Sequence, residues 1–383
     1  MKVSTGFVPL LDAAPLIIAR ELDFAAHEGL DLNLVKLPSW ASVRDFLSIG
    51  QIETAHILSP LPLGMSLGLA GLKADLSVLM VLSVNGNVFG VSNAIAARMH
   101  KMAWQPDLLD ASATGEALRR AVEQPMRIGV PFPISMHREL VEYWLSKFGV
   151  AFDIRSIPPS HMSEAVAAGE VDAFCVGEPW GSLAVDRGVA ELCLVGKAIW
   201  AFAPEKVLVA RSDWSDANPE AAKALIRAIW RAGQWLEQPD NQGVATEILA
   251  SQTYLGISAD ITERALSGHL LTKARSFGHH MDDLISFHDG AANFPWRSQA
   301  SWIGARLAER HGLDRDHTIA TARSIWRSDI YRAALAHMPV KMPAASDKIE
   351  GSLDRNSEVP ATSGSLILSA NRFFDGHLFD PTA

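Results

Sequence analysis

The sequence contains few of the features on which specialised protein classes depend. Only two cysteines, Cys175 and Cys193, occur in 383 residues, and their spacing matches neither a metal site nor a redox motif. We therefore expect both to be buried thiols in a reducing compartment. No basic run and no nucleic-acid-binding motif is present, and the formal net charge of −9 argues against direct contact with nucleic acid.

Long uninterrupted apolar runs are also lacking. The most apolar stretch, residues 55–72, contains two prolines and three glycines, so it cannot form the helix of about 20 residues that spans a membrane. From Met1 the chain passes directly into strand and turn residues, without the apolar core and cleavage site of a signal peptide. The expectation is a cytoplasmic protein without a membrane segment.

Residue groupings typical of catalytic centres are missing as well. We find no Ser/His/Asp or Cys/His grouping and no glycine-rich phosphate loop in a suitable context. His279, His280 and the pair His288-Asp289 lack a spacing that would place them on one face as metal ligands. The sequence therefore predicts a protein that is not an enzyme and holds no metal or cofactor.

What is present is the pattern of an ordinary two-domain α/β protein, 48% hydrophobic and 20% charged. Apolar strands alternate with helices in βαβαβ order, and Asp12 is a possible cap for the first helix. The segments that we predict as strands are 2–8, 31–36, 54–58, 77–82, 88–91, 126–130, 152–157, 171–176, 192–195 and 204–210. The later part is largely helical, with helices predicted at 218–236, 241–251, 258–270, 298–311 and 328–338.

These elements predict two lobes, with lobe one formed by 1–95 and 205–340 and lobe two by 96–204. The chain is expected to cross between the lobes near 92–125 and 197–206. Residues 341–383 are rich in Ser, Asp, Gly and Pro and predict a weakly ordered tail whose apolar end docks on the body.

Three junctions repeat one construction, in which a strand leads through a turn into a helix start. Trp40 lies at the first, where Ser42 and Asp45 form a capping-box pattern, and His137 lies in the first helical turn at the second. The third is Gly177-Glu178-Pro179-Trp180. In open α/β sheets such junctions are where ligands bind, and exposed backbone N–H groups there favour an anion.

Several short motifs are distributed along the chain. They are Asp12-Ala13-Ala14-Pro15, Ser39-Trp40-Ala41-Ser42, Asn85-Gly86, Gly177-Glu178-Pro179-Trp180, Pro204-Glu205-Lys206, Asn293-Phe294-Pro295-Trp296 and the Phe-Asp-Gly tail. Together they resemble the nitrate- and bicarbonate-binding family of the type II periplasmic-binding-protein fold. The resemblance spans nearly the whole chain and is greatest to the NasS-type cytoplasmic nitrate/nitrite sensors. The implied fold has two lobes, a ligand cleft and hinge crossovers.

The resemblance implies nitrate contacts at Trp40, Asn87, His137, Gly177 and Lys206. Each also has an ordinary structural interpretation: Trp40 as a core anchor, Asn87 and Gly177 as turn residues, and Lys206 as a solvated surface lysine. The position of Asn87 is more often Gln in the secreted nitrate binders. Its shorter side chain leaves the choice between nitrate and nitrite open.

The implied function is a cytoplasmic nitrate/nitrite sensor that releases a NasT-type RNA-binding antiterminator when the anion binds. The first alternative is the solute-binding component of a nitrate/bicarbonate-type ABC importer, which shares this fold. The second is a pyrimidine-synthesis enzyme of the same fold, which would need a reactive constellation that the sequence does not display.

Overall fold

The computed structural model describes residues 1–381, which form fifteen strands and sixteen α-helices. The strands are β1 (Lys2–Phe7), β2 (Asp31–Lys36), β3 (Thr54–Leu58), β4 (Leu76–Asn85), β5 (Asn87–Ser92), β6 (Met126–Val130), β7 (Phe152–Ser156), β8 (Ala173–Gly177), β9 (Ala190–Val195), β10 (Pro204–Arg211), β11 (His269–Leu271), β12 (Gly278–His280), β13 (Ile285–Ser286), β14 (Ser357–Pro360) and β15 (Ser365–Leu368). The helices are α1 (Ala14–Glu21), α2 (Phe24–His27), α3 (Trp40–Ser48), α4 (Leu61–Ser66), α5 (Asn93–Lys101), α6 (Ala111–Ala121), α7 (Met136–Ser146), α8 (Met162–Ala167), α9 (Trp180–Asp186), α10 (Ser212–Ala217), α11 (Pro219–Leu236), α12 (Gln242–Ala250), α13 (Ala259–Leu266), α14 (Arg297–His311), α15 (Arg315–Ile325) and α16 (Ser328–Leu335).

Two mixed sheets organise the two lobes. The sheet of lobe one has the order β13-β4-β10-β3-β1-β2, in which β1 is parallel to β2 and β3 while β10 is antiparallel to β3 and β4. The sheet of lobe two has the order β7-β6-β8-β5-β9, with β6 parallel to β7 and β8. The inner strands β3, β4 and β8 are buried along their whole length, as expected for strands covered by helices on both faces.

Two short connections carry the chain between the sheets. The first is Gly86, which has φ +89° and links β4 of lobe one directly to β5 of lobe two. The second is the segment 196–203 between β9 and β10. The connections are joined to each other, because the Asn85 side chain donates to the Ala201 carbonyl at 2.8 Å and the Asn85 backbone N–H donates to Ala203 at 2.9 Å.

The structure corrects one predicted boundary. β5 pairs with β8 and β9 in the second sheet, so residues 87–95 do not belong to lobe one. Segment 92–125 is not the first crossover, since it contains α5 and α6 of lobe two. Asn85 and Gly86 both have positive φ, as in a two-residue hairpin turn, but β5 pairs with β8 and β9 instead of returning along β4. Helix α15 is a further element that the sequence analysis did not predict.

The C-terminal segment returns to the body at an aromatic cluster. Phe373 is buried, and its ring stacks on Trp200 of the second crossover with centroids 4.9 Å apart. The Phe373 ring also lies 6.0 Å from Trp302 of α14 and 5.5 Å from Tyr143 of α7. One segment therefore packs against lobe two, the crossover and α14 at the same place.

Replacing Phe373 with alanine should lower the free energy of unfolding by about 3–5 kcal/mol, because the change leaves a cavity among the rings of this cluster. Urea denaturation followed by tryptophan fluorescence would measure the loss. Phe277→Ala is the matched control, since Phe277 is 95% exposed and its removal should change stability by less than about 0.5 kcal/mol. Equal effects of the two substitutions would show that the segment does not stabilise the body.

Candidate anion-binding site between the lobes

The candidate site lies where the carboxyl ends of strands from both sheets face each other. In lobe one these are the carboxyl ends of β1 and β3. The last residue of β3, Leu58, pairs with Lys206 of the antiparallel strand β10. In lobe two they are the ends of β6 and β8, where Gly177 pairs with Asn87 of β5. Ligands of open α/β folds bind at this position.

Trp40 is the first residue of α3, and its placement depends on the helix cap. The cap is Ser39, whose Oγ accepts from the Ser42 backbone N–H at 3.2 Å. The predicted cap at Ser42 with Asp45 is therefore wrong by one helical turn, because Ser39 already takes the extended conformation that a cap needs. Trp40 is 1% exposed, and its indole N–H has no protein acceptor.

Lys206 is the centre of an ionic cluster rather than a surface residue. Its side chain is fully buried, and its ammonium lies 5.4 Å from the centre of the Trp40 ring, within the range of a cation–π contact. Nζ of Lys206 is 2.7 Å from Oδ2 of Asp12 and 2.7 Å from Oε1 of Glu205. Burial lowers the pKa of Lys206, but the two carboxylates more than offset this effect and raise it above its usual value.

Asp12 connects the lysine to a buried histidine. Its Oδ1 lies 2.7 Å from Nε2 of His56, which is the middle residue of β3. Burial raises the pKa of Asp12, but the charge of Lys206 and the contact with His56 prevail and lower it to about 2. Burial lowers the pKa of His56, and Asp12 offsets only part of this change. At neutral pH the cluster thus holds an ionised Asp12 and a neutral His56.

Glu205 is the point at which the polar groups of both lobes meet. Asn87 of lobe two donates through Nδ2 to Oε2 of Glu205 at 2.5 Å, and Lys206 donates to Oε1. Nδ1 of His137 lies 3.2 Å from the same Oε1 without the alignment of a hydrogen bond. Burial raises the pKa of Glu205, and Lys206 offsets only part of that rise.

A break in strand pairing helps to place Glu205 and Lys206 in one site. Successive residues of a regular strand point to opposite faces of the sheet. The pairing of β10 with β4 shifts register on both sides of Lys206, and such bulges turn side chains away from their regular direction. Adjacent residues of β10 can therefore contact each other and both lobes.

His137 occupies the first turn of α7, as the sequence predicts. Ser135 caps this helix by accepting from the Arg138 backbone N–H at 3.2 Å. His137 is fully buried, and burial together with the charge of Lys206 holds its pKa well below the usual value. The imidazole is therefore neutral, and its Nε2 has no protein partner.

Gly177 allows the backbones of the two lobes to approach. A Cβ atom at this position would lie 2.7 Å from Cδ2 of Leu10 and 3.4 Å from Oδ2 of Asp12. Beside it the backbone N–H of Leu11 donates to the Glu178 carbonyl at 3.0 Å, which joins lobe one to lobe two. A larger residue at 177 would require the buried Leu10 side chain to shift.

All five predicted residues thus meet in one cluster: Trp40, Asn87, His137, Gly177 and Lys206. Asp12, His56 and Glu205 belong to the same cluster, although the sequence predicts no ligand role for them. A signal was available, because Asp12 and His56 are ionisable residues within otherwise apolar runs, and Glu205 stands with Lys206 inside another. Such residues are buried only when they are paired or functional.

The other histidines lie apart from this cluster. His280 faces Asp282 at 2.9 Å and His288 faces Asp289 at 3.1 Å, on exposed or partly exposed side chains. Within residues 1–381 no group of three or more His, Cys, Asp or Glu side chains is arranged to hold a metal ion. No helix in the same part of the chain is long and apolar enough to cross a membrane.

Comparison with known proteins places this chain in a family. Residues 1–250 match the NMT1-like family. The chain is 31% identical to the nitrate/nitrite binding protein NrtA of Nostoc sp. (strain PCC 7120) over 395 residues, covering 99% of this chain and 83% of the relative. It is 27% identical to the bicarbonate-binding protein CmpA of Synechococcus sp. (strain PCC 6301) over 410 residues, covering 99% of this chain and 84% of the relative.

A solved structure extends the likeness to the whole fold. The crystal structure of the periplasmic nitrate-binding protein NrtA from Synechocystis PCC 6803 superposes with a TM-score of 0.85 at 28% identity, covering 100% of this chain and 96% of that one. The predicted two-lobed periplasmic-binding-protein fold is thereby confirmed. The chain belongs to the NMT1-like family and, within it, to the nitrate- and bicarbonate-binding proteins.

Proposed function

We propose that the protein binds nitrate or nitrite between its lobes, through Trp40, Asn87, His137, Gly177 and Lys206. The observation that carries this proposal is the meeting of donors from both lobes at one planar carboxylate, that of Glu205. A carboxylate and a nitrate ion are both flat and trigonal and carry one delocalised negative charge. A site that already surrounds the first with donors has the chemistry to hold the second.

Each residue has a distinct task in this proposal. The Trp40 indole covers one face of the flat anion, while Lys206 supplies the permanent charge and the strongest hydrogen bond. Neutral His137 and the Asn87 amide supply uncharged donors from lobe two. Gly177 leaves room beside Asn87, since a Cβ at 177 would lie 3.6 Å from Oδ1 of Asn87.

The relatives favour one biological role for this binding. Both NrtA and CmpA are named as anion-binding proteins, and further relatives are named as ATP-binding proteins of nitrate import or bicarbonate transport. They support a role as the solute-binding component of an ABC importer. A cytoplasmic sensor that releases a NasT-type antiterminator is the second candidate, favoured by the NasS-type motifs and by a net charge of −9, which suits a protein that leaves RNA contact to its partner.

Replacing Lys206 with glutamine should weaken nitrate binding by roughly tenfold to a hundredfold, because a charged hydrogen bond of about 1.5–3 kcal/mol is lost. Isothermal titration calorimetry would measure the affinity, and far-UV circular dichroism would establish that the variant folds. Lys341→Gln is the matched control, since Lys341 is exposed. A folded Lys206→Gln protein that binds nitrate like the parent would place the anion elsewhere.

Sulfate should bind at least about tenfold more weakly than nitrate at equal ionic strength. Its second charge would meet the carboxylates of Asp12 and Glu205, and its tetrahedral shape cannot lie flat against the indole of Trp40. Titrations with nitrate, nitrite, bicarbonate and sulfate would establish the order. Equal affinities for sulfate and nitrate would contradict a flat, stacked anion.

The two roles differ in what nitrate does to a partner. For the sensor, nitrate that favours the closed lobes should dissociate a complex with a NasT-type antiterminator, and the antiterminator should weaken nitrate binding by the same factor. Co-purification of the two proteins with and without nitrate tests this. The complex formed by the Lys206→Gln variant should not dissociate when nitrate is added. If the two proteins do not associate in the absence of nitrate, the sensor role is contradicted and the importer role remains.

A further inference from the structure

We propose that anion binding at this site is coupled to the uptake of one proton by Glu205, so that the side chain is a neutral carboxyl group in the anion-bound protein. The inference rests on the proposed binding of nitrate or nitrite and concerns how the site accepts the anion. It follows from two geometric facts, namely which atoms contact Glu205 and how many charges lie beside it.

The first fact is that Glu205 occupies the donors that the anion needs. The Lys206 ammonium and the Asn87 amide both donate to its carboxylate, at 2.7 and 2.5 Å, and the ring nitrogen of His137 lies 3.2 Å away. An ionised carboxylate is a strong acceptor and competes with nitrate for the donors of Lys206 and Asn87. A protonated carboxyl is a weaker acceptor, so protonation makes the donors available, and its O–H is a new donor.

The second fact is the balance of charge. Within residues 1–381, the ionic contacts of Lys206 are with two carboxylates, those of Asp12 and Glu205, and all three side chains are buried. With both carboxylates ionised the group carries one net negative charge before any anion enters. A nitrate ion would then add a second negative charge at a buried position, which is strongly unfavourable. Uptake of one proton with the anion keeps the net charge of the group constant.

The other titratable groups that face Glu205 are less suited to take this proton. Asp12, on the segment after β1, keeps a pKa of about 2 and stays ionised. His137 of α7 and His56 of β3 have lowered pKa values because of burial, and a positive charge on either would lie close to Lys206. Burial, followed by the charge of Glu205, raises the pKa of the Cys175 thiol on β8, which is already protonated at neutral pH.

Glu178, next to Gly177, is a buried carboxyl group that could mimic this behaviour. Burial raises its pKa to about 7, so it titrates near neutral pH. Its Oε2 accepts from the backbone N–H of Ser182 at 3.1 Å, in the first turns of α9, and it does not contact the donors of the site. Glu178→Gln is therefore a matched control for Glu205→Gln, because both changes replace a buried carboxyl group with an amide of the same shape.

The test is calorimetric titration of the full chain with sodium nitrate in phosphate and in Tris buffer, from about pH 6 to about pH 8.5. The difference in heat between the buffers gives the number of protons taken up. We expect uptake to approach one proton per nitrate above the pKa of Glu205 in the free protein, and the affinity to fall by up to about tenfold per pH unit there. Glu205→Gln should bind nitrate without proton uptake and with an affinity that varies less than about twofold over this range, whereas Glu178→Gln should behave like the parent.

Any of the following outcomes would overturn the inference. Nitrate binding with no proton uptake in the parent would mean that Glu205 moves aside as an anion. Uptake that persists in Glu205→Gln would assign the proton to a histidine, and uptake lost only in Glu178→Gln would assign it to Glu178. In these three cases the proposed function stands. Absence of nitrate binding by the parent at every pH would overturn the proposed function and this inference together.

Discussion

The candidate site depends on the burial of one ammonium group, that of Lys206, between two carboxylates. A buried charge without a partner is among the most unfavourable features that a folded protein can contain, and breaking a buried pair costs about 3–5 kcal/mol. The partners of Lys206 come from different parts of lobe one, Asp12 from the segment after β1 and Glu205 from β10 itself. The ionic contact thereby fixes how these elements lie relative to each other.

Glu205 extends the same constraint to lobe two. Its carboxylate accepts from Asn87, the first residue of β5, and approaches His137 at the start of α7. The chain enters lobe two through Gly86, immediately before Asn87, so the polar contact and the first crossover are adjacent. An anion that competes for these donors therefore acts close to the connection about which the lobes would move. A ligand bound there can shift the balance between open and closed lobes because it contacts both.

The fold could largely be predicted because its signals are local. The apolar runs of β1, β2 and β3 and the long amphipathic helix α11 can be recognised from the sequence alone, and the family motifs supplied the lobes and the cleft. The first crossover could not be predicted in this way, because a turn within one sheet and a passage between two sheets have similar local sequences. The difference lies in which strand β5 pairs with, and that is a long-range choice.

The site shows the same division between local and long-range information. Five residues could be transferred from the family motifs, but the motifs do not state that Lys206 is neutralised by Asp12 and Glu205. That arrangement requires the bulge in β10 and the approach of the segment after β1 to β10, neither of which has a local pattern. In the proposed function, recognition of the anion depends on these buried contacts, whereas the choice between importer and sensor depends on exposed surfaces that meet other proteins. Two proteins of this family can therefore share a binding site while they differ in what binding is used for, and the buried motifs identify the ligand more directly than the role.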